Sequence, residues 1–335
     1  MARHCTSLPL TVLILVTLVS PTLIAQQRAA FEPPQDLNFR KATILSEGSR
    51  LAAELFSLKS LDGKKLPTII MSHGWGGTAA LLRADAAAFA RAGYLVVTFD
   101  YRGWGASESR VILSRPAPAA KDNHRFTAEV IEVREVVDPL DQANDLQNVI
   151  HWVQGEPQCD TDRIGLWGSS FSGGNVVYAA ARDPRVKALV SQVPPQQQRW
   201  VVATPEAARQ TYHEATARAR GEIGYPPPGI RVLGNLRGAP IREKMINFLP
   251  VDDVDKATGC AMLFILAENE ELFDNREHGL ASYARAKGPK KLVTIPKITH
   301  YGIYTTAHAQ AQKLAIEWFD AHLKGAAKAE AKKAS

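Results

Sequence analysis

The sequence predicts an α/β protein with a mostly parallel central sheet, helices on both faces and an inserted cap. Three observations lead there. From residue 42 to residue 323, short apolar runs rich in β-branched residues alternate with helical stretches, which implies βαβ units around a sheet covered on both sides. A hairpin signal, Glu47-Gly48, opens the series and sets antiparallel strands at one edge. Between Pro194 and Pro250 the alternation stops. A segment inserted there overhangs the carboxyl ends of the strands, where α/β sheets bind ligands.

The elements follow in order. Residues 42–46 and 51–58 read as the hairpin strands, and 67–72 as a third, buried strand that runs into His73-Gly74-Trp75-Gly76-Gly77. An alanine-rich helix, 79–92, is closed by Gly93 and followed by strand 94–100. Leu146, Val149, Ile150 and Val153 give helical periodicity to 138–154. Strand 163–167, helix 171–182 and strand 186–193 come next. The cap, 194–250, holds one helical piece at about 206–220 and then Tyr225-Pro226-Pro227-Pro228-Gly229. Strand 261–267, helix 275–287, strand 291–295 and helix 307–323 complete the series.

The first 25 residues stand outside this pattern. Arg3 and His4 make a short basic start, residues 8–19 are apolar, and Ser20-Pro21-Thr22-Leu23-Ile24-Ala25 supplies a breaker and a cleavage end. This is the form of a signal peptide cut after Ala25. Pro9, Pro21 and the threonines of this stretch argue against an uncleaved anchor. The expected organisation is a signal peptide over 1–25, one domain over 26–324 and a disordered Lys/Ala tail over 325–335. The signal pattern implies a mature chain outside the cytoplasm, periplasmic or extracellular; no other segment is long and apolar enough to span a bilayer, so that chain is expected to be soluble, with no membrane partner.

Composition narrows the function classes. The 335 residues are 45% hydrophobic and 22% charged, with a formal charge of +6. Lys324, Lys328, Lys332 and Lys333 put much of that excess in the tail, and no basic patch is interleaved with aromatics, so nucleic acid is not an expected partner. Cleavage would remove Cys5 and leave Cys159 and Cys260. Export permits a bridge between them, but the strands they precede are not neighbours in this arrangement. No Cys-x-x-Cys pair or His/Cys cluster has zinc spacing, so neither a metal nor an organic cofactor is expected.

The sharpest chemical signal is Gly168-Ser169-Ser170-Phe171-Ser172-Gly173-Gly174, where an apolar strand meets a helix through small residues. A serine at such a turn is held with its hydroxyl clear of the sheet, and the positions two before and two after it must be small. Ser170 meets that test with Gly168 and Ser172. An acyl-transfer nucleophile also needs backbone N–H groups to stabilise the oxyanion. The residue after the nucleophile, Phe171, supplies one, and the glycine-rich loop after the third strand supplies the other, Trp75 first and Gly76 second. The base is His300, in Thr299-His300-Tyr301-Gly302 past the last strand. The acid lies after strand 261–267, where Glu268, Glu270, Glu271 and Asp274 compete. Counting along the loop favours Glu270, then Asp274.

With those residues in view, positions 42 to 324 resemble the α/β-hydrolase superfamily, and within it the dienelactone-hydrolase-like and peptidase S15-like esterases. The resemblance is carried by His73-Gly74-Trp75, Asp100-Tyr101-Arg102-Gly103-x-Gly105-x-Ser107, the turn at Ser170, the acid loop and His300-Tyr301-Gly302. It implies the α/β-hydrolase fold, the order nucleophile, acid, histidine along the chain, and a structural role for the Asp100–Ser107 loop. Two positions depart from the family pattern. Ala267-x-x-Glu270 stands where the family has Gly-x-x-Asp, and Ser172 stands where it has glycine, so Ser172→Ala and Ser172→Gly are expected to be mild.

The expected function is an exported serine hydrolase that cleaves a small-molecule carboxylic ester through an acyl-enzyme, with Ser170, His300 and Glu270 as its triad and Trp75 and Phe171 as oxyanion donors. Its rivals are an S15-like peptidase, an acyltransferase using the same triad, and a hydrolase-fold binding protein without activity. Every triad position has a candidate here, which favours the enzyme.

Overall fold

Strand order fixes where the site lies. In a computed structural model, which describes residues 31–119, 122–232 and 235–325, eight strands form one sheet: β1 (Leu37–Ser46), β2 (Ser49–Leu58), β3 (Leu66–Ser72), β4 (Leu95–Phe99), β5 (Cys159–Ser169), β6 (Val186–Gln192), β7 (Ala261–Ala267) and β8 (Lys290–Ile295). Their spatial order is β1-β2-β4-β3-β5-β6-β7-β8. β1 pairs antiparallel with β2, and β2 antiparallel with β4; all later neighbours are parallel. The expected signal peptide and residues 326–335 of the expected tail lie outside the described residues.

Burial follows that order. Every residue of β3, β4 and β7 is buried, as central parallel strands covered by helices require. Edge strand β8 opens with Lys290 and Lys291, charges that blunt a free edge. The hairpin turn is the expected two-residue one, with Glu47 at φ +46° and Gly48 at φ +89° between Ser46 and Ser49.

Helices α1 (Arg83–Arg91), α2 (Pro139–Val153), α3 (Phe171–Ala180), α4 (Pro205–Ala219), α5 (Gly279–Arg285) and α6 (His308–Phe319) dress the sheet and the cap. β5 shows the two faces. A Cβ on Gly165 would meet the Phe319 ring at 2.7 Å, and one on Gly168 would meet the Ser172 carbonyl at 2.3 Å. Residues three apart on a strand face opposite sides, so α6 covers one face of β5 and α3 the other. α1 joins α6 through an edge contact of Phe89 on Phe319, with ring centroids 6.0 Å apart.

Two segments leave this plan. The expected cap, 194–250, carries α4 and the short helical turn Arg242–Met245, and a second turn, Pro250–Asp253, begins at its end. The second, between β4 and α2, is absent from the sequence reading: Arg110–Leu113 and Val130–Val133 form a separate antiparallel ribbon. Val136–Val137 then pairs in parallel with Ala239–Pro240 of the cap, tying the two excursions together. The helix expected at 275–287 is instead a 3₁₀ turn, Asn275–Glu277, followed by the shorter α5, and α6 passes at Asp320 into a wider π turn. Cys159 and Cys260 are both buried and unbridged, and β6 separates the strands they adjoin.

Candidate active site

Ser170 occupies the one residue between β5 and α3, with φ +55° and ψ −129°. A non-glycine residue there carries backbone strain, and such strain persists only where the surroundings hold it. They do so here. The Ser170 N–H donates to the Gln192 carbonyl of β6 at 2.8 Å, and Gly173 N–H donates to the Ser170 carbonyl at 2.7 Å. Gly168 leaves no room for a side chain against Ser172 and Val176, which is the crowding expected two residues before the turn.

His300 Nε2 stands 3.0 Å from Ser170 Oγ, and His300 Nδ1 stands 3.0 and 2.9 Å from the two Glu270 oxygens. With Nδ1–H donating to the carboxylate, Nε2 is left to accept from the serine hydroxyl. The His300 and Glu270 side chains are each 2% exposed, so the pair works out of bulk water.

The four acids of the loop after β7 separate by partner. Glu268 accepts from Lys297 N–H at 2.7 Å, and Glu271 accepts from the His300 backbone N–H at 2.6 Å, which anchors the histidine loop. Asp274 caps the turn at Asn275 and pairs with Arg276, whose hydrogen bonds hold its carboxyl down to about 2. Glu270 alone of the four meets the imidazole.

The loop after β3 runs beside the serine. A Cβ on Gly74 would lie 2.9 Å from Ser169 O, 3.0 Å from Ser170 Cβ and 3.6 Å from Phe171 N. The Gly74-Trp75 backbone therefore passes next to the turn, and only glycine permits the approach. As the first residue of α3, Phe171 has an N–H without an intrahelical acceptor. The Trp75 ring meets Phe171 edge-on, with centroids 5.3 Å apart, and its Nε1–H donates to the cap carbonyl of Gly238 at 3.0 Å. His73 sets the base of the loop: Tyr101 N–H donates to its Nε2, and its Nδ1–H donates to Gly74 O. Burial pushes the His73 pKa down and keeps the ring neutral.

A cavity of about 240 Å³ opens over these groups, lined by Trp75, Leu82, Trp167, Ser170, His300 and the cap residue Leu236, among others. Trp200, Tyr212 and Phe248 of the cap do not line it. Phe248 instead stacks on Phe171, with ring centroids 5.6 Å apart.

Several groups here escaped sequence reasoning. Tyr304 is 42% exposed as a residue, yet its hydroxyl turns inward, 2.8 Å from Ser169 Oγ, which also accepts from Gln192 Nε2. Burial of that hydroxyl raises its pKa to about 12. The signal was its place four residues after His300, one helical turn along. Asp85, His308 and Gln312 also line the cavity and had no motif to mark them. Ser172 has a role that a missing glycine did not suggest. It is fully buried, and its hydroxyl bonds the Ser72 hydroxyl and lies 3.2 Å from that of Tyr101. The expectation of a mild Ser172 exchange concerns turnover; the buried hydroxyl network adds an expectation of lost stability. Among the described residues, no group of three or more His, Cys, Asp or Glu side chains is placed to hold a metal ion.

The family model for X-Pro dipeptidyl-peptidase (S15 family) matches residues 47–203. An uncharacterised 31.7 kDa protein from the traX-finO intergenic region of Escherichia coli is 29% identical over 288 residues, which span 77% of this chain and 92% of that protein. Hypothetical protein PA2218 from Pseudomonas aeruginosa shares the fold with a TM-score of 0.70 at 22% identity, over 88% of this chain and 96% of that one. The α/β hydrolase GrgF from Penicillium sp. sh18 does so with a TM-score of 0.66 at 20% identity, over 86% and 99%. With this strand order, the strained turn after β5 and these neighbours, the chain has the α/β-hydrolase fold.

Proposed function

We propose that the chain is an exported serine hydrolase that cleaves carboxylic esters of small molecules through an acyl-enzyme. The observation that carries this reading is the hydrogen-bonded line from Glu270 through His300 to Ser170, at 2.9 and 3.0 Å, opening on a cavity. In the first step the Ser170 proton passes to His300 Nε2 as Oγ bonds the ester carbonyl carbon. The N–H groups of Trp75 and Phe171 hold the oxyanion. The imidazolium, stabilised by Glu270, gives its proton to the departing alkoxide as the carbon–oxygen bond breaks. Water then repeats the sequence on the acyl-enzyme and releases the acid.

The test is ester hydrolysis by the purified chain beginning at Gln26, set beside the Ser170→Ala variant. Turnover that survives in the variant removes the reading. The S15 match supports a second reading, peptide cleavage by the same groups. Parallel turnover of X-Pro dipeptide arylamides decides between them. The basic, apolar and small-residue pattern over 1–25 supports export.

A further inference from the structure

Among the residues lining the cavity over Ser170 is a carboxylate that engages only one of its two oxygens. Asp85, in the first turn of α1, lines the cavity together with His308 and Gln312 of α6. Asp85 Oδ1 accepts from His308 Nε2 at 2.9 Å and from Gln312 Nε2 at 2.7 Å. Its second oxygen has no hydrogen-bond partner among the described residues, although the side chain is only 14% exposed. Leu82, Trp75 and Trp167 line the same cavity. That oxygen reaches the solvent of the cavity, where a ligand donor replaces water by a fixed, charge-assisted hydrogen bond.

We infer that Asp85 is a specificity-determining residue, and that the part of the substrate entering this cavity carries a hydroxyl or an ammonium group that donates to Asp85 Oδ2. His308 and Gln312 fix the carboxylate through its other oxygen, so the acceptor is preorganised. This inference builds on the ester-hydrolase reading and names its substrate class. A site built to hydrogen-bond a substrate group discriminates strongly against the analogue lacking it, because the site's own polar atom is then left unpaired.

The experiment uses the chain from Gln26 and straight-chain methyl esters of six to nine acyl carbons, which do not cyclise readily, each in unsubstituted, terminally hydroxylated and terminally aminated form. At the best chain length, wild type should favour a donor-bearing ester over its unsubstituted counterpart by about tenfold or more in kcat/KM. A preference confined to one substituted series assigns the donor as hydroxyl or as ammonium. Asp85→Asn keeps an acceptor for His308 and Gln312 but turns the second oxygen into a donor. It should abolish the preference and leave unsubstituted esters within about threefold of wild type. Asp85→Glu carries the carboxylate one methylene further and should shorten the preferred chain by one carbon, a shift that a merely structural tie between α1 and α6 would not give. Equal turnover of all three series by wild type, or a parallel fall of all three in Asp85→Asn, overturns the inference and leaves the ester-hydrolase reading standing. Absence of all ester turnover removes both.

Discussion

Glu270 sets both carboxylate oxygens against the Nδ1 of His300, at 3.0 and 2.9 Å, where the superfamily resemblance would have placed an aspartate. The longer side chain reaches the ring because the loop is tethered around it: Leu272 N–H donates to Glu270 Oε1, and the neighbouring Glu271 holds the His300 backbone.

Glu270→Gln should therefore lower turnover by about three orders of magnitude or more, since it loses the charge that supports the imidazolium and the acceptor that sets its tautomer. Asp274→Asn should stay within about threefold of wild type, because Asp274 serves a turn and Arg276. Steady-state kinetics on the two variants, with melting temperatures alongside, check both. A severe Asp274→Asn defect beside an active Glu270→Gln would reverse the assignment.

Ser172 is expected to matter for stability more than for rate. Removing its hydroxyl takes one partner from each of the buried Ser72 and Tyr101 hydroxyls, while Tyr101 keeps Asn175 and Ser72, at a cost of about 1 kcal/mol. Ser172→Gly adds up to about 1 kcal/mol for glycine within a helix. Urea denaturation should show Ser172→Gly as the weaker of the two variants, with kcat/KM per folded molecule within about threefold of wild type. Unchanged stability in both would mean that this buried network contributes nothing net.

His278 gives the fold an acid sensitivity. Burial holds its pKa down to about 4, and its Nδ1 accepts from Gln196 N–H at 2.8 Å, joining the acid loop to the start of the cap. The folded-state pKa lies below the unfolded value near 6.5, so the unfolded chain binds the proton first as pH falls. Stability from this group is complete above about pH 6.5 and is lost progressively as pH falls toward about 4. Between pH 7 and pH 5 the loss amounts to about 2 kcal/mol. Denaturation at the two pH values should show His278→Gln losing less than wild type by roughly that amount; equal losses would contradict the account.

If residues 1–25 direct export, the mature protein starts at or close to Gln26 and is recovered outside the cytoplasm. N-terminal sequencing of exported material checks this. Met1 on that material would favour an anchor.

Much of the fold was legible because it is local and periodic. β3, β4 and β7 are short apolar runs flanked by turn residues, and Glu47-Gly48 is a two-residue hairpin signal. The ribbon of Arg110–Leu113 with Val130–Val133 was not. Its strands are four residues long, largely exposed, and joined by a long stretch without regular pattern, so neither burial nor alternation marks them. Ser170, Trp75 and His300 could be placed because each follows a recognisable strand. The choice among four acids rested on a loop count, since the partners that mark Glu268, Glu270 and Glu271, in Lys297 and His300, are set by tertiary contacts 29 or 30 residues away; only the Asp274–Arg276 pair is local. Asp85 was hidden for the same reason: its partners on α6 lie more than two hundred residues away.

The central claim is that Ser170 is the acylated group. Ser169 and Ser172 stand beside it, but Ser169 Oγ faces Tyr304 and Gln192, while Ser172 lies beneath the turn against Ser72. Reaction with a fluorophosphonate probe, followed by peptide mapping, is the most direct measurement. A single adduct on Ser170, absent from Ser170→Ala and nearly absent from His300→Ala, is the predicted result. An adduct on Ser169 or Ser172 with Ser170 unmodified, or full labelling of Ser170→Ala, would contradict it.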